Sequence, residues 1–267
     1  MKAYITYFKL KFISSLQYRS AAWAGIATQF FFGFVYIMVY VAFYESGGSN
    51  LPMELPQVVT YLWLNQALLA LVNQYSRDQE LFKLVKEGGI SYELARPKNL
   101  YFMWYFKVIG QRLANVTLRF IPLVIVTSLL PYPFHLGGPA SFLHFIFFLL
   151  SLSFGTLLVT SLAVFYPIIT LTTMNEKGAV NLIITMADIL SGIVVPIPFF
   201  PKFLQIISSF LPFQYISDLP FRLYVGNISL HDGVFGMCIQ VIWIVLFILI
   251  GNFMMKKNIK RVVVQGG

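Results

Sequence analysis

Long apolar runs without a charged residue constrain this chain most. No Asp, Glu, Lys or Arg occurs from Ala21 to Tyr44 or from Val234 to Met255. A helix of about 20 apolar residues crosses a hydrocarbon core of about 30 Å, so these runs read as membrane spans. With 58% hydrophobic and 11% charged residues, no soluble globular class fits. The class is all-α and polytopic, a single transmembrane domain over residues 1–267.

Six spans are expected: Ala21 to Tyr44, Val58 to Val72, Leu113 to Leu130, Phe142 to about Ile169, Gly178 to about Val195, and Val234 to Met255. Basic residues orient them, because short loops rich in Lys and Arg stay in the cytoplasm. Lys2, Lys9, Lys11 and Arg19 precede the first span, Lys177 lies in a tight loop, and Lys256, Lys257, Lys260 and Arg261 follow the last. Only Lys202 and Arg222 fall on the outer side, and Arg119 falls inside span three. Both termini are therefore expected in the cytoplasm. Residues 1–20 carry Tyr4, Phe8, Phe12 and Leu16 on one helical face, which suits a helix in the headgroup layer. A cleavable signal peptide is not expected, because the apolar run begins after residue 20 and lacks a convincing cleavage site.

One wet stretch, residues 76–112, holds eleven of the twenty-nine charged side chains, seven of them basic. Within it, Asp78 to Glu87 sets Leu81, Leu84 and Val85 at helical spacing among Arg77, Glu80, Lys83 and Lys86. A short amphipathic helix follows. Gly88-Gly89 is expected to end it and Pro97 to impose a second break. From Asn99 an aromatic segment, Tyr101 to Phe106, is expected to run along the interface.

Between spans five and six, Ser191 to Gly226 is too apolar for an ordinary loop and too broken to span. Pro196, Pro198, Pro201, Pro212 and Pro220 interrupt it. A hairpin re-entering the outer leaflet resolves the conflict if protein buries its irregular backbone.

Several activities find no support. The net charge of +9 is spread over the flanks of the spans, which fits topology and anionic lipid better than nucleic acid. The glycine pairs at 47, 88 and 137 lack the Lys and hydroxyl residue of a phosphate-binding loop. His135, His144, His231 and the lone Cys238 show no metal-ligand spacing, and no catalytic residues or bound metal are expected.

The run of Ser191-Gly192, Pro196, Phe200-Pro201, Leu204-Gln205, Leu211 to Tyr215, Asp218 to Pro220 and Gly226 resembles the end of the permease subunits of type-2 ABC exporters. The segment Gly88 to Pro97 is similar to one branch of them, and the likeness extends over the chain. It implies a bacterial cell-membrane protein whose 78–87 helix couples to an ATPase through Arg77, Asp78, Glu80, Leu81, Lys83, Leu84, Lys86 and Glu87. It also implies a second permease, the same or related, and two ATPase subunits that hold ATP and Mg, with no cofactor on this chain. The spans suggest a hydrophobic or amphipathic cargo such as a lipid, a drug-like molecule or a peptide.

Two other readings stay open: a lipid-handling enzyme using Asp218, His231 and Asp232, and an ion or proton carrier using Asp188. Asp188 is expected near mid-bilayer, about ten residues into span five, in contact with polar side chains or Arg119, or lining the substrate path.

Overall fold

The structure, a computed structural model, describes residues 2–47, 51–74, 79–86, 89, 90, 93, 98–173 and 178–259. Ten α-helices are described: α1 Lys2–Leu16, α2 Arg19–Glu45, α3 Leu55–Val72, α4 Gln79–Lys86, α5 Leu100–Ser128, α6 Phe142–Thr173, α7 Ala179–Leu190, α8 Lys202–Phe210, α9 Asp218–Tyr224 and α10 Leu230–Ile259, with a short 3-10 turn at Ile197–Phe199. Among the described residues α2, α3, α5, α6 and α10 are long and apolar enough to cross a membrane.

Helix α3 is the axis of the bundle. Every residue from Val58 to Leu68 is buried, so it has no lipid-facing stripe. Helices α2, α5, α6 and α9 surround it. Trp63 shows how tightly: its ring meets Phe34 edge-on at 5.3 Å, its indole N–H donates to the Phe134 carbonyl at 2.7 Å, and Gly33 of α2 gives it room. The ends of α3 face opposite ends of the molecule. Gln57, in its first turn, donates to the Val225 carbonyl in the 191–226 segment, while α4 follows its last turn.

Helix α5 departs from expectation. The aromatic segment after Asn99 is not a separate element. It forms the first turns of one continuous helix, and Tyr101, Met103 and Trp104 are almost fully buried. The cause is local. The Asn99 side chain caps the Tyr101 N–H at 3.0 Å, and nothing interrupts the helix before Pro122, through which it continues. Helix α1 packs along this extension. Tyr4 stacks on Phe106 at 5.7 Å, and its hydroxyl accepts from the Asn99 N–H at 3.2 Å. Its aromatic face thus meets α5 rather than lipid. Gly110 permits the approach, because a Cβ there would stand 2.8 Å from the Phe8 carbonyl oxygen.

The expected fifth span is shorter than its apolar run. Helix α7 has 12 residues, about 18 Å at about 1.5 Å per residue, against a core of about 30 Å. It stops at Leu190, where Gly192 turns the chain with φ +83°. Helix α6 runs past Ile169 to Thr173, through Pro167.

The α1 contact can be tested directly. Gly110→Leu overpacks the contact with Phe8, a change that costs about 1–3 kcal/mol in a tight core. In nanodiscs, tryptic cleavage at Lys9 and Lys11 is expected to become roughly tenfold faster than in wild type. An unchanged rate contradicts the packing described.

Candidate coupling site and buried hairpin

Helix α4 meets the bundle through adjacent residues that point into different cores. Leu81, 1% exposed, packs with Trp104, Tyr105, Val164 and Ile168, which belong to α5 and α6. Phe82, 7% exposed, packs with Tyr166 of α6 and with Val180 and Ile184 of α7. Lys83 is exposed and Leu84 half-buried. Of the other residues expected to couple, Arg77, Asp78, Glu87 and the Lys86 side chain lie outside the described residues, as do Gly88 and Pro97.

Glu80 locks this helix to two others. Its Oε2 accepts from Lys11 Nζ of α1 and its Oε1 from Lys107 Nζ of α5, each at 2.8 Å. Sequence reading expects Glu80 to serve an external partner, but both carboxylate oxygens are engaged within the chain. Lys11 and Lys107 are 18% and 10% exposed, and each basic residue is carried by an element that sequence alone left separate. Partial burial of Glu80 raises its pKa, and the two ammonium groups outweigh that, lowering it from 4.5 to about 2. Magnitudes rank the contacts. Burying a Leu and a Phe is worth roughly 3 to 6 kcal/mol, whereas exposed ion pairs give about 1 kcal/mol or less. The apolar pair holds α4 down, and Glu80 sets its direction.

The end of α3 is capped by Arg112 of α5. This side chain is 1% exposed and donates from Nη1 to the Leu71 and Asn73 carbonyls, both at 2.9 Å. A cation at a helix C-terminus satisfies orphan carbonyls and complements the helix dipole. One residue on, the Gln74 backbone amide lies beside Asp188, and the Gln74 side-chain oxygen accepts from the Tyr166 hydroxyl at 3.2 Å. Asp188 therefore lies beside the last residues of α3. Among the described residues Asp188 pairs with no cation, and its Oδ1 is buried without a partner. Arg119 lies elsewhere, its guanidinium against Gly25 of α2, where a Cβ would stand 2.6 Å from Cζ.

At the opposite end, the irregular 191–226 segment is held by polar side chains of the spans. The Tyr61 hydroxyl lies 3.0 Å from both the Gly192 carbonyl and Asp218 Oδ1, sharing its proton between them. Asn65 donates to the Ile193 carbonyl at 2.6 Å. Gln240 of α10 donates to the Tyr215 carbonyl at 2.6 Å and to that of Ser151 at 2.9 Å. Asp218, 2% exposed, is the hub: it also accepts from the Ile197 N–H at 3.1 Å and faces Arg222 at 3.5 Å. The prolines fall at element boundaries: Pro196 precedes the 3-10 turn that contains Pro198, Pro201 precedes α8, and Pro220 lies in the first turn of α9. Pro212 is buried in the link between α8 and α9.

The chain matches the family described as ABC-2 family transporter protein over residues 25–266. It belongs to the ABC-2 family. No curated protein matches it. As an ABC-2 membrane protein it is a transport permease and is not itself catalytic. Its polar residues agree, since Asp218 is buried and bonded whereas His231 and Asp232 have side chains 96% and 71% exposed. The three do not assemble into an acid-base site.

Two outcomes are expected of this ABC-2 permease. Glu80, with its lowered pKa, contributes stability above pH 4.5 that is lost as pH falls toward about 2. The gap in thermal midpoint between wild type and Glu80→Gln should therefore be no more than about 4 °C at pH 7, narrow below pH 4.5 and close only toward pH 2. A gap that widens on acidification contradicts the clamp. Asp218→Leu leaves Arg222, the Ile197 N–H and Tyr61 without their shared acceptor, a loss of about 3–5 kcal/mol. Size-exclusion profiles after heating should show it unfolding first, with Tyr61→Phe costing only about 1 kcal/mol.

Proposed function

We propose that this ABC-2 permease is the membrane subunit of an ATP-driven exporter whose ATPase is a separate chain. Two ATPase subunits, holding ATP and Mg, act on a pair of permeases of the same or related sequence. The observation that carries the reading is helix α4. It is anchored by Leu81 and Phe82 in two cores, fixed by Glu80 to α1 and α5, and presents Lys83 outward. A short helix held this firmly has the properties of a coupling element, because a push on it is delivered to α5, α6 and α7 together. With α4 in the cytoplasm, both termini lie on that side of a bacterial cell membrane. The 191–226 segment then caps the outer end as a re-entrant hairpin, and α7 with the turn after it serves as the sixth span. Export rests on the likeness to type-2 ABC exporters, and the apolar spans favour a hydrophobic or amphipathic cargo.

The test is reconstitution. The chain purified alone should hydrolyse no ATP. Co-expressed with its ATPase, it should yield a complex that does. Leu84→Pro, which removes an N–H and clashes with the preceding turn, should disrupt α4 at about 3 kcal/mol and release the ATPase, yet leave membrane insertion intact. Robust turnover by this chain alone, or full assembly of the Leu84→Pro variant, contradicts the proposal.

A further inference from the structure

Between α2, α3 and the turn after α7 lies a cleft of about 200 Å³, lined by Gln29, Phe32 and Tyr36 of α2, Gln66 and Leu69 of α3, and Val194. Phe32 and Val194 are 44% and 46% exposed, so the cleft opens on the outer surface of the bundle. No charged side chain lines it. Gln29 is 3% exposed, and neither its Oε1 nor its Nε2 has a hydrogen-bond partner. Gln66, 4% exposed, brings a second amide to the same cleft.

Both amides sit deep. Gln29 is about 15 Å along α2 from Arg19, and Gln66 about 17 Å along α3 from Leu55, at about 1.5 Å per residue. The neighbouring Asn65 is half satisfied, donating to the Ile193 carbonyl while its Oδ1 is buried without a partner, whereas Gln29 has neither bond. An amide left unpaired in an apolar layer is costly, and buried polar groups as a rule have partners. The space beside Gln29 that admits a partner is the cleft it lines. The volume accommodates several waters, at about 30 Å³ each, or one small headgroup.

We propose that this cleft is a recognition subsite for an uncharged hydrogen-bonding group, a hydroxyl, ester or amide, at the polar end of a membrane-dissolved amphipathic substrate. Gln29 and Gln66 each offer a donor and an acceptor, which reads such a group in either polarity. Phe32, Tyr36 and Leu69 receive the adjoining apolar part. A charged headgroup is disfavoured, because it would be desolvated with no countercharge in the lining. The assignment rests on the permease reading and sharpens it by naming the substrate class.

The experiment uses the full chain assembled with its ATPase in nanodiscs, labelled by three photoactivatable probes with one C18 diazirine chain and different heads. These are a monoacylglycerol, a fatty acid at pH 8 and a fatty amine. The monoacylglycerol should label peptides containing Phe32, Tyr36 and Leu69 at least fivefold more than either charged probe. Gln29→Leu and Gln66→Leu should each cut that labelling about tenfold, while the thermal midpoint of Gln29→Leu stays equal to or above that of wild type. Equal labelling by all three probes, or labelling unchanged in both variants, overturns the subsite and leaves a crevice that any acyl chain fills. Labelling present in the isolated chain but absent from the complex also overturns it, because the second permease then covers the amides. ATP turnover measured in the same discs separates the two levels. A complex that hydrolyses ATP without headgroup preference sinks the subsite alone, whereas failure to recruit an ATPase sinks the permease reading.

Discussion

Inside an apolar layer a backbone N–H or carbonyl without a partner costs several kcal/mol, so irregular chain survives there only where protein supplies the partners. The 191–226 segment meets that condition through one helix above all. Gln57, Tyr61 and Asn65, one turn apart on α3, reach the Val225, Gly192 and Ile193 carbonyls, and Tyr61 adds Asp218. Because α3 must offer polar groups to this segment and apolar ones to α2, α5 and α6, it is buried on every side. The architecture follows from that burial.

The other end of α3 is tied as firmly. Arg112 closes its last carbonyls, and Gln74 lies beside Asp188 and accepts from Tyr166, while Leu81 and Phe82 plant α4 in the bundle. Helix α3 is thus a rod between α4 and the hairpin, about 27 Å long at about 1.5 Å per residue. Tyr166 of α6 links the two helices, bonded to Gln74 beside α3 and packed with Phe82 of α4.

Much of this was legible in the sequence, and the misses have physical causes. Charge-free runs reveal spans because hydrocarbon tolerates little else, and the proline-broken 191–226 stretch declared its irregular backbone. The four-residue spacing of Gln57, Tyr61 and Asn65 was also readable as one polar face on an apolar helix, yet its purpose shows only once the hairpin lies against it. The clamp was not legible. Lys11 and Glu80 are 69 residues apart, and nothing local in either pairs them. The neighbours of Asp188 were not legible either, because Gln74 lies 114 residues away in sequence and nothing local in either marks the approach. Asn99 as a cap, rather than as the end of a loop, made α5 longer than its hydropathy suggested.

The proposed coupling through α4 requires that α4 and the hairpin move as one body. Spin labels at Lys83 on α4 and Lys202 at the start of α8, both exposed, measure it directly by pulsed electron resonance. Labelled chain is diluted with unlabelled chain in the assembled complex, with and without ATP. Coupling of that kind leaves this intrachain distance unchanged while the distance between the two proposed permeases shifts. A change in the Lys83 to Lys202 distance on ATP binding, with the separation of the permeases constant, contradicts it.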